Sequence, residues 1–479
     1  MDIVSWQFAT FSVCVLLIYY FLALRAQNVW LLITSYIFYF SWGLPFAVIL
    51  FFVTALNFFI SRRLGNHHAR RRLWFWAGVG GNALLLFFFK FVTSDYGSRL
   101  FQIGFPSVKF ITQFLLPIGL AFYTLQAISY LIDVYNGQMP AASSFVDFAL
   151  CMSYFPKLIA GPIERARNFL PKLAKPRMVT NETLSRSFTL IIIGLIRKIV
   201  IADVLPRMIS IDHIWSGMNS RYATPEMALW LIVYAFSLYN DFAGYTSIVR
   251  GVSGLFGIEL SPNFQQPFFA RSFTEFWNRW HISLSHWLRD YIYFPFSRAL
   301  LRRSEGQRNL INIVLPPLIT MMASGLWHGF SVSMLVWGGL HGLYQVVERI
   351  PFVTRMIAQP DEQPRWRQAI LMLIVFLLTM VAWVPFALKS LQGNAGALAF
   401  WNALILTPHW GFSNLWFLVV LFPFALSLWI DAMQYRARNE TVFTSWSPAV
   451  QGMLLALALT LFFIFGITSQ MKVFVYQGF

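Results

Sequence analysis

The chain has 479 residues, of which 58% are hydrophobic, 18% aromatic and only 11% charged. Soluble proteins carry about 25% charged residues, so this composition excludes a soluble globular protein and indicates one that is integral to a membrane. The formal net charge of +17 does not require a nucleic-acid partner, because the basic residues cluster between apolar runs, where they can anchor the chain on anionic lipid headgroups.

Apolar runs long enough to cross a membrane follow one another along the whole chain. A spanning helix needs about 20 apolar residues, and the sequence predicts about 11 to 13 such helices within a single membrane domain, residues 1–479. The predicted fold class is therefore an all-α polytopic membrane protein. Residues 1–24 lack a basic leader and a small-residue cleavage site, so they are predicted to be the first span. The runs lie near 7–24, 29–41, 44–60, 73–92, 110–132, 187–204, 227–247, 310–328, 331–349, 369–387, 415–432 and 449–468.

Lys and Arg residues divide unevenly when they are sorted onto alternate sides of these runs. About 25 fall on one side and roughly six on the other, which predicts that the basic loops 62–72 and 298–308 are cytoplasmic. The parity of the runs then places both termini on the opposite side of the membrane.

Two apolar stretches are interrupted by Gly and Pro and do not fit as ordinary spans. Residues 145–163 contain Pro156, Gly161 and Pro162, and we expect them to dip into the membrane and return. Irregular backbone at membrane depth is tolerated only where protein buries it or where it lines a cavity. Residues 248–270 are likewise predicted to be irregular backbone around a cavity.

The segment 275–293 is predicted to be one amphipathic helix lying in the membrane interface. At about 100° per residue its apolar face includes Trp280, and His281 lies within the same aromatic stripe. The helix should therefore bury the imidazole of His281 toward the helix bundle. The polar side carries Arg279, Ser283, His286, Arg289 and Asp290.

His328 lies in SGLWHG, near the end of an apolar run that is expected to bend at these glycines. An ionisable side chain at membrane depth marks a functional site by default, and imidazole moves protons near neutral pH. These properties make His328 a candidate for proton transfer, and His281 a candidate second catalytic group or a residue that orients donor or acceptor. A purely structural role remains the alternative for each. His341, in WGGLHG, is a candidate to support His328.

Other kinds of site fit the sequence less well. His281 and His286 are expected to point to different helix faces, and no HExxH motif or clustered Cys, Asp or Glu ligands accompany them, which argues against a metal site. No GxSxG elbow indicates a hydrolase. A transporter would also place charges at membrane depth, but the pseudo-symmetric halves that it would usually show are not found. Asp241, between Tyr239 and Tyr245, is the acidic residue best placed to line a polar cavity.

Several segments resemble the bacterial membrane-bound O-acyltransferase family, in the AlgI-like branch that acylates cell-surface polysaccharides and has DltB as a cousin. The resemblance extends over nearly the whole chain. The matching segments are FYFSWG (38–43), LPIGLAFYTLQAISYLIDVYNG (116–137), FPKLIAGPIERA (155–166), NDFAGYTSIVRGVSGLFGIEL (240–260), NFQQPFFARSFTEFWNRWHISLSHWLRDYIYFP (263–295), SGLWHG (324–329) and VWGGLHG (336–342).

This resemblance implies an enzyme of the bacterial inner membrane, with both termini periplasmic, that moves acetyl from a cytoplasmic donor for O-acetylation of an exopolysaccharide or peptidoglycan. It implies that His328 is catalytic, with His281 as its partner, in a tunnel between the helices. Acetyl-CoA is expected as donor substrate, with no bound cofactor or metal, and a periplasmic SGNH-type acetyltransferase as partner. The alternatives are D-alanyl or other acyl transfer from a carrier protein, and a non-enzymatic polysaccharide transporter.

The chain ends in MKVFVYQGF, which resembles the FIYFQF carboxyl-terminal motif of polysaccharide-acylating systems in this family. The resemblance implies that residues 469–479 form an extracytoplasmic tail and that Tyr476 carries the acyl group there. An aromatic anchor at the membrane interface is the alternative.

The residues expected to line the donor or substrate site are Asp241, Trp280, Trp327, Arg289, Asp290 and His341.

Overall fold

A computed structural model describes residues 1–65, 70–94, 97, 117–208, 224–307, 309–358, 360–388, 393–406 and 417–466. Within these ranges the regular structure is helical throughout, which confirms the all-α prediction. The described chain forms two compact units, one built from Met1–Gly194 and Tyr245–Pro262 and the other from Leu195–Gly244 and the residues from Asn263 onward. The proposed tail 469–479, with Tyr476, lies outside the described residues, and the single-domain assignment stays a prediction.

The first part of the chain packs around Phe155. The ring of Phe155 lies 5.9 Å from that of Phe38 and 6.1 Å from that of Phe8, and its backbone N–H donates to Ser35 Oγ at 3.0 Å. The helices of this part are α1 (Trp6–Tyr19), α2 (Leu24–Phe40), α3 (Leu44–Gly65), α4 (Arg71–Val92), α5 (Leu120–Tyr135), α6 (Phe145–Ser153), α7 (Phe155–Leu158), α8 (Ala166–Leu173) and α9 (Asn181–Leu195).

The segment 145–163 breaks between α6 and α7, as its prolines predict. Pro156 lies in the first turn of α7, where a missing backbone N–H costs little. The segment is buried in protein, and even the ammonium group of Lys157 donates to Gln126 Oε1 at 2.8 Å and to the Cys151 carbonyl at 2.6 Å. Its irregular backbone therefore has the protein environment that membrane depth would require.

The rest of the chain carries a π-helical segment at Ile196–Ala202 and then helices interrupted by short turns of other types. The further π turns are Arg289–Tyr293 and Asn402–Leu406, and the 3₁₀ turns are Pro267–Phe269, Pro360–Glu362 and Val442–Ser445. The helices are α10 (Leu205–Met208), α11 (Thr224–Leu255), α12 (Phe273–Arg279), α13 (Ile282–Leu288), α14 (Phe294–Arg303), α15 (Leu310–His328), α16 (Val332–Val347), α17 (Pro351–Ile357), α18 (Arg365–Ala387), α19 (Gly393–Trp401), α20 (Phe417–Ala437) and α21 (Pro448–Gly466).

Several of these helices are suited to a lipid environment. Among the described residues, five helices are long and apolar enough to cross a membrane, namely α3, α4, α15, α18 and α21, and α1 and α16 are shorter apolar helices. Large apolar side chains such as Phe52, Leu373 and Phe463 are exposed on them, as expected of surfaces that face lipid. The protein is therefore a polytopic membrane protein, and the total of about 11 to 13 spans stays a prediction.

Helices α15 and α16 form a tight hairpin, with the chain turning between His328 and Val332 as the glycines of GLWHG predict. A Cβ atom at Gly338 would lie 2.3 Å from the Met321 carbonyl oxygen, and one at Gly325 would lie 2.2 Å from the Met334 carbonyl oxygen. Only glycine permits such a close approach of two helix backbones. The hairpin fixes His328 at the end of one helix and His341 on the next.

Two of the sequence predictions are wrong in part. Residues 248–255 continue helix α11, because Gly251 allows close packing against the Ser187 carbonyl, 2.5 Å from a Cβ placed there, rather than ending the helix. The segment 275–293 is not one helix. It breaks at Trp280 and His281, between α12 and α13, and passes into a π turn at Arg289.

Candidate active site

His281 lies at the break between α12 and α13, with backbone φ of 42° and ψ of 54°. This left-handed conformation is uncommon for residues other than glycine and costs on the order of 1–3 kcal/mol. Two backbone hydrogen bonds hold the break open, from Ile282 N to the Asn263 carbonyl and from Gln265 N to the Arg279 carbonyl, both at 2.9 Å. The break buries the imidazole of His281 completely.

The side-chain oxygen of Asn263 fixes both His281 and the first turn of α13. It accepts hydrogen bonds from Ser283 N at 3.1 Å and Ser283 Oγ at 2.9 Å, and it lies 3.2 Å from Nδ1 of His281. Because this oxygen can only accept, a hydrogen bond to it requires the tautomer with the proton on Nδ1 and the lone pair on Nε2. Sequence reasoning assigned no role to Asn263, although it opens the NFQQP run that matches the family.

His328 ends α15 and is only 2% exposed. Its ring meets Trp327, Trp337 and Phe386 edge to face, with ring centres 4.8, 5.1 and 5.3 Å away. His281 also contacts Trp327, at 5.9 Å, so the structure brings both predicted histidines to the same tryptophan. Apolar rings around an imidazole exclude water and strengthen the electrostatic interactions made there.

His341 lies one turn after Trp337 on α16 and is completely buried. Its ring centre is 5.0 Å from Trp277, 5.1 Å from Trp337 and 6.1 Å from the stacked ring of Phe276. Trp337 therefore contacts both His341 and His328, which places His341 one ring away from His328. Among the described residues neither nitrogen of His341 has a hydrogen-bond partner, which costs free energy in a buried site.

Trp280 forms a further wall of this region. Its indole stacks on Phe276 at 5.7 Å and meets Phe264 and Trp383 at 5.1 Å each. The sequence predicted Trp280 and Trp327 as lining residues. It assigned no role to Trp337, although this residue lies in the matching segment VWGGLHG, or to Trp383 and Phe386, which lie in an apolar run. These rings form what we call the aromatic cluster. It consists of six residues, Trp280, Trp327, Trp337, Trp383, Phe276 and Phe386.

A cavity of about 260 Å³ adjoins this cluster. Trp277 lines the cavity and also contacts His341, so a single indole ring separates the cavity from His341. Arg289 lines the cavity and forms an ion pair with Asp290 at 3.4 Å. The polar part of the lining consists of Thr274, Asn278, Ser285, Arg289, Tyr293, Thr320, Gln345 and Arg349.

Asp241 belongs to a buried set of ion pairs. Its carboxylate lies 2.7 Å from Lys198 Nζ, which also pairs with Asp203 at 3.0 Å. Opposite charges held this closely compensate one another's burial. The predicted role of Asp241 in lining a polar cavity stays a prediction.

A second buried pair joins Arg197 to Asp431. Tyr239 also donates to Asp431, at 3.0 Å, and the ring of Tyr239 lies 6.2 Å from that of Trp280. This polar group therefore lies directly behind the aromatic cluster.

Known proteins match most of this chain. The chain is 35% identical over 380 residues to the probable alginate O-acetylase AlgI of Pseudomonas aeruginosa, which covers 78% of this chain and 69% of that protein. It is 29% identical over 410 residues to the peptidoglycan O-acetyltransferase of Helicobacter pylori, covering 78% of this chain and 74% of that protein. It is 26% identical over 295 residues to the teichoic acid D-alanyltransferase of Streptococcus thermophilus, covering 59% of this chain and 71% of that protein.

The family match includes the whole histidine region. The sequence profile described as MBOAT, the membrane-bound O-acyltransferase family, matches residues 6–388, which contain His281, His328 and His341 and every member of the aromatic cluster. The chain belongs to the membrane-bound O-acyltransferase family.

Proposed function

We propose that this acyltransferase moves acetyl from a cytoplasmic thioester donor for O-acetylation of a cell-surface or secreted polysaccharide, such as an exopolysaccharide or peptidoglycan. The observation that carries the proposal is the enclosure of His328 by Trp327, Trp337 and Phe386, within the residues that match the family. The names of the O-acetylating relatives support acetyl as the acyl group and a polysaccharide as the final acceptor.

His328 acts as general base in this proposal. An acceptor hydroxyl attacks the thioester carbonyl carbon, and His328 takes the proton as the new C–O bond forms. The C–S bond then breaks, and the thiolate leaves with the proton returned by the imidazolium. Proton transfer by a positioned base typically contributes about 10²- to 10⁴-fold to the rate. His281, with its lone pair on Nε2, is the partner that orients donor or acceptor.

Acetyl-CoA is the proposed donor. Arg289 and Arg349 on the cavity wall present the guanidinium groups that suit phosphate oxygens, and Trp277 connects this cavity with His341. Transfer of D-alanine from a carrier protein is the competing reaction. Its named relative is 26% identical, compared with 35% for the alginate O-acetylase, and it matches less of the chain.

The acceptor side is proposed to lie outside the cytoplasmic membrane of a bacterium. Both termini are then periplasmic, and Tyr476 accepts acetyl on its phenol oxygen before passing it to a periplasmic SGNH-type acetyltransferase. The uneven split of about 25 and roughly six basic residues supports this orientation. Tyr476 lies outside the described residues, so the sequence resemblance alone supports its role.

Release of free thiol by the purified protein tests the donor assignment. The protein in detergent or nanodiscs is incubated with an oligosaccharide acceptor and the periplasmic transferase partner, and with acetyl-CoA, a D-alanyl carrier protein or no donor, and the thiol is titrated. We expect release from acetyl-CoA above that of a His328→Ala sample. Release from the D-alanyl carrier alone would favour the competing reaction. Release from neither donor would favour a transporter.

A further inference from the structure

Glu348 connects the end of α16 with the start of α12. Its carboxylate accepts hydrogen bonds from the backbone N–H of Phe273, from Thr274 N at 3.0 Å and from Thr274 Oγ1 at 2.8 Å. Glu348 is itself almost fully buried, 8% exposed, and directly follows the helix that carries His341. One side chain thus holds two elements that face each other across the site.

The neighbouring residue fixes the same end of α16 to two more elements. Arg349 donates from Nη2 to Tyr293 Oη at 2.7 Å and from Nη1 to the Ile313 carbonyl at 3.0 Å. Tyr293 ends the π turn that follows α13, and Ile313 lies in the first turn of α15. Arg349 therefore holds the end of α16 in place, and the side chain of Glu348 extends from this fixed end.

Helix α12 depends on such external contacts. It has only seven residues, well below the length at which an isolated helix is stable, and it runs directly into the strained backbone of His281. Its first N–H groups are satisfied by Glu348 and by Ser272 Oγ, which accepts from Glu275 N at 3.0 Å.

We propose that Glu348 is a positioning residue for acyl transfer. By holding the first turn of α12, it sets the distance between Phe276 and Trp277 on that helix and Trp337 and His341 on α16. The walls around His341, and the approach of His281 to Trp327, then depend on a carboxylate that touches neither reactant. This inference rests on the proposed acetyl transfer, because its readout is the rate of that reaction.

Replacing Glu348 by Gln removes one acceptor and turns an N–H group toward Thr274 while nearly preserving the side chain's volume. We expect kcat for thiol release from acetyl-CoA to fall about 10- to 100-fold, since displacements of about 1 Å have such effects. KM for acetyl-CoA should change less than kcat, because Glu348 itself does not line the cavity and reaches it only through Thr274. The matched control is Glu362→Gln, at an exposed carboxylate, which should leave both constants unchanged.

Thr274→Val provides a milder test, because it removes one donor to Glu348 and keeps both backbone hydrogen bonds. Since Thr274 also lines the cavity, KM for acetyl-CoA is measured beside kcat, and the positioning role predicts that the loss lies in kcat. The kcat of this variant should fall about 2- to 10-fold. The double variant Glu348→Gln, Thr274→Val should lose less than the product of the two single losses, because both changes break the same contact. A general loss of folding would instead reduce the yield of monodisperse protein and lower its unfolding temperature.

The results of these experiments distinguish a failure of the proposed function from a failure of the positioning role of Glu348. Wild-type protein without thiol release from any acetyl donor would contradict the proposed function and not the contact itself. Active wild-type protein together with a Glu348→Gln variant of unchanged kcat would overturn the positioning role. If Glu348→Gln does not give monodisperse protein, Thr274→Val decides, and an unchanged kcat in that folded variant overturns the proposal.

Discussion

The side-chain oxygen of Asn263 lies 3.2 Å from Nδ1 of His281 and accepts from both the backbone N–H and the hydroxyl of Ser283. This one oxygen determines the ring tautomer and stabilises the left-handed backbone at His281. Because this acceptor is buried, water cannot replace it. Its removal should therefore leave all three donor groups without this hydrogen bond.

Asn263→Ala should therefore lower kcat for acetyl transfer by about 10- to 100-fold, because the ring loses its orientation. The effect should approach that of His281→Ala, and the double variant should be no worse than His281→Ala alone. Thiol release from acetyl-CoA measures all three. Gln265→Ala, at an exposed side chain in the same segment, is the control, and an equal loss there would contradict the assignment.

The α15–α16 hairpin should not tolerate a methyl group at its closest contact. Gly338→Ala places a Cβ 2.3 Å from the Met321 carbonyl, so the helices must separate, at a cost of about 1–3 kcal/mol. Gly339→Ala is the matched control, because a Cβ there meets nothing within 4 Å. Thermal unfolding of the two purified variants compares them. Equal unfolding temperatures would contradict the close helix contact.

The Arg197–Asp431 pair should stabilise the protein only while both partners are present. Arg197→Met leaves the buried carboxylate of Asp431 uncompensated, which typically costs about 3–5 kcal/mol. We expect a markedly lower unfolding temperature, partly restored when Asp431→Asn is added. Arg436→Met, at an exposed arginine, should have little effect. An unchanged unfolding temperature of Arg197→Met would contradict the stabilising role assigned to the pair.

The hydroxyl group of Tyr476 distinguishes the two interpretations of the carboxyl-terminal tail, namely an acyl carrier and an aromatic anchor. Tyr476→Phe keeps an aromatic ring for interfacial anchoring and removes the oxygen that would hold the acyl ester. If Tyr476 carries acetyl, polymer O-acetylation is lost, and the acetyl adduct on residue 476 disappears from the intact mass. If the ring only anchors the tail, acetylation remains at the wild-type level.

The predictable features of this protein were those that depend on composition and on local pattern. Charge-poor apolar runs predicted the helical membrane fold, and imidazoles expected at membrane depth pointed to His281 and His328. Periodicity could not predict the break at His281, because it is held by Asn263, which lies outside the segment that the periodicity describes. The Gly and Pro content of residues 248–270 wrongly predicted irregular backbone for 248–255, since a glycine that serves close helix packing cannot be distinguished in sequence from one that ends a helix.

The aromatic cluster shows the same limit. Trp337 and Phe386 come from α16 and α18, and only the fold brings them to His328. Glu348 could not be distinguished in the sequence from any other glutamate at the end of a helix. Its partners, Phe273 and Thr274, lie more than 70 residues away along the chain.

The most direct test of the account is O-acetylation of the surface polymer in cells that carry His328→Ala at matched expression. We predict that ester-linked acetate on the polymer is lost, while the variant remains in the membrane at the wild-type level. His286→Ala, on the less buried side of α13, should retain acetylation under the same conditions. Near-normal acetylation in the His328→Ala strain would contradict the assignment of His328 as the catalytic base.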